Sequence, residues 1–198
     1  MDLKKQKEHF KNHVATFTDY GNIKILDFKA PGRSDYRIRF LFEEDFYRLH
    51  ISGDLGELTA SNYNNMTYEK FSDFTNSIGY FEGKIDCHSR PIYVYDEEKA
   101  RKDLKKLIKD CGDAEKILET HDWNDTEEDA IEEVIDDIMA DFDETGGIGS
   151  AGYDEASNYI PDFSEYSRSI GKENNGILER YMLAFKLAQK QINESVDE

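Results

Sequence analysis

The stretch DYRIRFLFEEDFYRLHIS, residues 35–52, decides the architecture. In its first half Tyr36, Ile38 and Phe40 alternate with Arg37 and Arg39; in its second, Tyr47, Leu49 and Ile51 alternate with Arg48 and His50. A period of two puts the apolar side chains on one face and the cations on the other, the pattern of half-buried strands. A short acidic turn between them makes the pair antiparallel. Upstream, NIKILDFKA (22–30) carries Ile23, Ile25, Leu26 and Phe28 and ends in the turn APGR, so it reads as another strand. Downstream, GDLGELTASNY (53–63) continues as a fourth strand after bends at Gly53 and Gly56. An antiparallel meander follows.

The flanks read as helices. Residues 2–16 form a short one, with Leu3, Phe10 and Val14 on one face. TYEKFSDFTNSI (67–78) spaces Tyr68, Phe71, Phe74 and Ile78 helically, GYFEGKI begins another helix, and RPIYVY is extended. Asp96 is the N-cap of a basic helix that ends at Gly112, with Ala100, Leu104, Leu107, Ile108 and Cys111 as its buried stripe. A shorter helix covers 113–120, TGGIGSAG (145–152) reads as a glycine loop or hinge, and 153–176 is irregular with one helical turn or two. The last helix, from Ile177, repeats Leu178, Tyr181, Met182, Phe185, Ala188 and Ile192, so it needs an apolar surface from its own chain or from a second copy in a homodimer. The expected fold is α+β, a small antiparallel sheet covered by helices and followed by an acidic helical region. The expected domains are 1–95 and 96–198.

Charge divides along the chain. The net charge is −18, yet residues 1–95 hold 14 acids and 13 bases, whereas 96–198 hold 29 acids and 12 bases. Within 110–165 there are 20 acids and one base, Lys116. Such asymmetry suggests a surface for a basic partner. No run of about 18 apolar residues occurs and the first residues have no apolar signal core, so a cytoplasmic protein without a membrane span is expected. Cys87 and Cys111 lack metal-knuckle spacing and read as reduced thiols.

The acid is densest in DAIEEVIDDIMADFDE (129–144). With Ile131 at zero and 100° per residue, Val134, Ile135, Ile138, Met139 and Phe142 share its side of the wheel. Asp129, Glu132, Glu133, Asp136, Asp137, Asp143 and Glu144 fall opposite; Glu127, Glu128 and Asp141 lie at the margins. Thr126 and Asp129 have capping-box spacing. Like charges four residues apart destabilise a helix, and acids at its C-terminal end oppose the dipole. Stability therefore does not account for a single-sign face. Three readings are open: a solvated surface, neutralisation by the basic helix at 99–109, or a surface for a basic partner. Ten acids over residues 126–144 give one per roughly 2.8 Å of helix, against one charge per roughly 1.7 Å of duplex DNA.

Phosphate-loop, dinucleotide, zinc-protease and nucleophile-elbow patterns are absent, so neither a catalytic group nor a cofactor is expected. In DFDETGGIGSAG (141–152), Asp141, Asp143 and Thr145 occupy positions 1, 3 and 5 of a calcium loop, but Gly152 stands where the bidentate Glu belongs. These are weak metal candidates, and they support an alternative reading as a metal-dependent, nuclease-like enzyme. His9 and His13 are four apart on the expected first helix without a third ligand. Arg33, Arg37, Arg39 and Arg48 offer a second alternative, nucleic-acid binding on the sheet.

Residues 37–104 contain ISGDLGE after a strand, an aromatic helix, the step Tyr80-Phe81-x-x-Lys84-Ile85, and YDEEKA. This block resembles small proteins carried by phages and mobile elements of low-GC Gram-positive bacteria. The resemblance covers the middle third of the chain and none of the acidic segment. It implies counter-defence roles, anti-CRISPR inhibition among them, and carries over no catalytic residue. Together with the charge, it leads to the expectation of a phage-encoded inhibitor that is not an enzyme. The acidic helix would enter the basic groove of a nucleic-acid-binding partner such as a CRISPR-Cas nuclease.

Overall fold

A computed structural model describes residues 3–119 and 126–196. The chain falls into two compact units, residues 1–92 with 176–198, and residues 93–175. It is an α+β protein, and the second unit is inserted between the last strand of the first unit and its closing helix.

The first unit opens with α1 (Leu3–His9) and continues as strands β1 (Val14–Asp19), β2 (Ile23–Lys29), β3 (Ile38–Glu43), β4 (Arg48–Gly53) and β5 (Leu58–Ser61). Two short helices, α2 (Phe71–Phe74) and α3 (Ile78–Glu82), precede β6 (Ile85–His88). The six strands form one antiparallel meander in sequence order. The expected alternation holds: Phe17, Leu26, Phe40, Ile51 and Leu58 stand opposite one another across five strands on one face. Thr18, Ile25, Leu41, His50, Thr59 and Cys87 make the matching row on the other.

The sequence reading missed β1 and β6. It extended the first helix to residue 16, but the helix stops at His9, and the segment from Val14 to Thr18, with the strand-favouring Val14, Thr16, Phe17 and Thr18, pairs with β2 instead. His9 and His13 therefore do not share a helix face. His9 stacks on Tyr36 at 4.4 Å, and His13 is buried with its Nε2 3.1 Å from the Tyr36 carbonyl.

The inner sheet face is covered by the last helix. In the expected division, the helix from Ile177 belongs with the acidic region; its packing places it in the first unit. The Phe185 ring lies 5.4 Å from Phe40, 4.8 Å from Phe71 and 6.1 Å from Phe42. The apolar stripe thus finds its surface in its own chain. Tyr181 donates its hydroxyl to the Leu55 carbonyl at 3.1 Å, and burial pushes that phenol up to about 12.

The second unit begins with β7 (Tyr93–Tyr95) and α4 (Glu97–Cys111), followed by α5 (Ala114–Glu119), α6 (Glu127–Ile138) and α7 (Ser150–Tyr159). It ends with β8 (Lys172–Asn174), which pairs antiparallel with β7; the closing helix of the first unit is α8 (Ile177–Val196). Asp96 caps α4 by accepting from the Lys99 amide at 2.7 Å. Buried side chains of α4 and α6, among them Leu104, Ile108, Ile131 and Ile135, form one core with α7's Ala156 and Tyr159. Cys111 is exposed rather than part of the α4 stripe, and Leu107 is only half-buried. Ser150–Tyr159, expected to start in a loop, is helical. Residue 120 of the expected short helix, and 123–125 before the acidic one, lie outside the described residues.

Candidate functional site

The acidic helix is shorter than its sequence pattern suggests. It starts with the full capping box: Thr126 Oγ1 accepts from the Asp129 amide, and the Asp129 carboxylate accepts from the Thr126 amide. The Thr126 hydroxyl, which donates to Asp129 Oδ2 at 2.6 Å, and then the Thr126 amide hold the Asp129 carboxyl below its usual range. The helix ends at Ile138. Asp143 and Glu144 therefore do not continue its acidic face, as the sequence reading supposed, and Asp141, placed at the margin of that face, also lies beyond the helix.

Two rows four residues apart meet across the antiparallel helices α4 and α6. Arg101 Nη1 lies 2.6 Å from Asp136, and Lys105 Nζ lies 2.6 Å from Glu132 and 2.9 Å from Glu128. Lys109 Nζ lies 3.8 Å from Glu128. The hydrogen bonds from Glu132 and Glu128 raise the Lys105 ammonium above its ordinary value, and Lys105 in turn lowers the Glu128 carboxyl. Asp136 likewise raises the Arg101 guanidinium. Of the seven carboxylates proposed for a partner, Glu132 and Asp136 are thus paired internally, because the spacing 101/105/109 matches 128/132/136. Asp129 caps the helix. Glu133, Asp137 and Glu144 are exposed.

The turn after the helix uses its acids structurally. Asp143 Oδ1 accepts from the amides of Thr145 (2.6 Å) and Gly146 (2.8 Å) and from the Thr145 hydroxyl, which lowers its carboxyl. Asp141 accepts from the amides of Ala151 (2.9 Å) and Gly152 (3.0 Å), capping α7. Gly149, where the α7 cap sits, has no side chain to do this, and a Cβ there would stand 2.2 Å from Asp141 Oδ2. The calcium-loop candidates Asp141, Asp143 and Thr145 are thus a capped turn. No group of three His, Cys, Asp or Glu side chains able to hold a metal occurs among the described residues.

The four sheet arginines separate. Arg33 pairs with Asp35 at 2.8 Å in the β2–β3 loop, and Arg48 lies 4.0 Å from Glu43 at the far end of β4. Arg37 and Arg39 come together, with Lys29, Asp27, Ser52, Gly53 and Glu57, around a hollow of about 370 Å³ on the outer sheet face. Arg39 is held in a two-point bond by Asp27, at 2.7 and 2.8 Å. Sequence reasoning missed Lys29, Ser52 and Glu57. Their alternation with the core positions was visible, but the register that gathers them was not.

Fold and surface together define the class: a helical, strongly acidic unit inserted into an antiparallel α+β sheet unit. No family model, curated protein or solved structure matches the chain. Among the described residues, no helix is long and apolar enough to cross a membrane.

Proposed function

We propose that the 93–175 unit is an acidic docking module for a basic, nucleic-acid-binding protein, and that the chain acts as a binding inhibitor rather than an enzyme. The observation that carries this is the residual charge. The unit holds 25 acids against 9 bases. Its basic helix is already engaged with one row of α6, while Glu127, Asp137 and Glu144 are exposed with no ion-pair partner among the described residues. The first unit, with 18 acids and 16 bases, has no comparable surplus. A surface of one sign that its own cations do not neutralise favours encounter with a groove of the opposite sign. The resemblance of residues 37–104 to phage-borne proteins supplies the target class, a nucleic-acid-handling effector of bacterial defence such as a CRISPR nuclease.

The test is displacement of labelled duplex DNA from such a nuclease by the intact protein at increasing salt. Displacement should weaken steeply with ionic strength. The reversals Glu127→Lys, Asp137→Lys and Glu144→Lys, which spare the ladder and the caps, should abolish it together without loss of fold. Undiminished displacement by the triple variant overturns the proposal.

A further inference from the structure

The hollow on the outer sheet face calls for a ligand of different chemistry, independent of the acidic unit. We propose that it binds a phosphate monoester on a small hydroxyl-bearing body, such as a sugar phosphate or mononucleotide. The hollow exists because β4 ends in Ser52 and Gly53, so no large side chain stands opposite Arg39. Gly53 has a φ of +148°, and a Cβ there would lie 2.0 Å from the Arg37 carbonyl oxygen. This stretch of floor therefore stays bare.

The charges around it match one dianion. Asp27 engages Nε and Nη2 of Arg39, fixing the guanidinium and leaving Nη1 free of that pair. Lys29 and Arg37, both exposed, have no carboxylate at ion-pair distance among the described residues. Two unneutralised cations and a preset guanidinium suit a phosphate monoester, which carries about −1.5 to −2 at neutral pH. Ser52 adds a hydroxyl donor. Glu57, the one lining carboxylate not held by a cation, opposes a second anionic group and accepts from a hydroxyl. A volume of about 370 Å³ suits a small molecule. A polynucleotide track would need Arg33 and Arg48 in line, and each sits elsewhere beside its own carboxylate.

The test is amide NMR titration of the intact protein with ribose 5-phosphate, ribose and inorganic phosphate. Ribose 5-phosphate should shift resonances around Lys29, Arg37, Arg39 and Ser52, and ribose should not. Arg37→Gln and Lys29→Met should each weaken binding about tenfold without changing thermal stability. Glu57→Met, which removes both the charge and the acceptor, should strengthen inorganic phosphate and weaken ribose 5-phosphate, which a purely electrostatic patch would not do. Three results overturn the proposal: no shifts with ribose 5-phosphate, affinity indifferent to both cation variants, or tighter binding by an oligonucleotide lacking a terminal phosphate.

Discussion

Lys105 Nζ lies 2.6 Å from Glu132 Oε1, across the seam between two antiparallel helices. One turn along the basic helix in one direction, Arg101 meets Asp136; one turn in the other, Lys109 approaches Glu128. The basic helix therefore offsets like-charge repulsion within α6. It takes up the row Glu128, Glu132 and Asp136, while Glu127 and Asp137 beyond that row are exposed. Lys105→Glu should lower the denaturation midpoint of the protein by adding a like charge to that row. The exchange Lys105→Glu with Glu132→Lys should recover part of the loss, and high salt should shrink the difference between the variants. Denaturation curves in low and high salt read this. A single variant as stable as the parent at low salt would mean the row is merely solvated.

His13 provides a pH dependence. It is 4% exposed, with the rings of Phe10 and Phe28 at 5.2 and 5.1 Å. Its Nε2–H donates to the Tyr36 carbonyl, so Nδ1 is the bare nitrogen, and it has no partner. Burial lowers its pKa below 6.5, outweighing the opposite pull of the Tyr36 carbonyl and Asp35. The folded protein thus binds a proton less readily than the unfolded chain. The stability contributed by the neutral ring is complete above 6.5 and falls as the pH drops from there through the lower folded value. His13→Gln should flatten that part of the stability–pH curve. Urea midpoints across the acid range measure it, and an unchanged slope would exclude His13 as the source.

The meander was legible because β3, β4 and β5 alternate, β3 and β4 with arginine or histidine on the outer face, although the adjacent Ile25 and Leu26 break the pattern in β2. β1 was not. Val14 satisfies a helical spacing with Phe10 as readily as a strand, and only pairing with β2 separates the two. The helix at 150–159 was hidden for a related reason: its N-terminal cap comes from Asp141, outside the segment, so no local start signal marks it. Both faces of α6 were visible from periodicity. The division of its acids into a paired row and an exposed one was not, since it depends on which side of α6 the basic helix packs. The outer-face hollow likewise needed the cross-strand register of Arg39 with Asp27 and Ser52.

The Asp141 cap separates structure from metal binding. Asp141→Ala removes the acceptor for two amides at the start of α7 and should cost about 1 kcal/mol, with Asp141→Asn in between. Adding millimolar Ca²⁺ or Mg²⁺ to the parent should leave its melting temperature unchanged, because a bound ion would raise it by mass action. A calcium-dependent rise that disappears in Asp141→Ala would restore the metal reading of this loop.

Connectivity leads to the last expectation. The inserted unit closes its own base, since Tyr93 stands opposite Asn174 and Tyr95 opposite Lys172 in the β7–β8 ribbon. On the first unit, Ile92, just before the insertion, and Ile177, two residues after its end, both line a small depression with Leu58 and Tyr181. Entry and exit are therefore neighbours on each unit separately, and each unit has its own buried core. Replacing residues 93–175 by a short glycine linker should leave the first unit cooperatively folded, since α8 still reaches the sheet and Phe185 still packs on Phe40. Far-UV circular dichroism should lose helix and keep strand, and Tyr181 should keep its raised ionisation in a spectroscopic titration. An excised chain that unfolds, or that ionises Tyr181 near its ordinary value, would show that the sheet unit depends on the acidic one. In that case a loss of DNA displacement on excision would no longer identify the acidic surface as its cause.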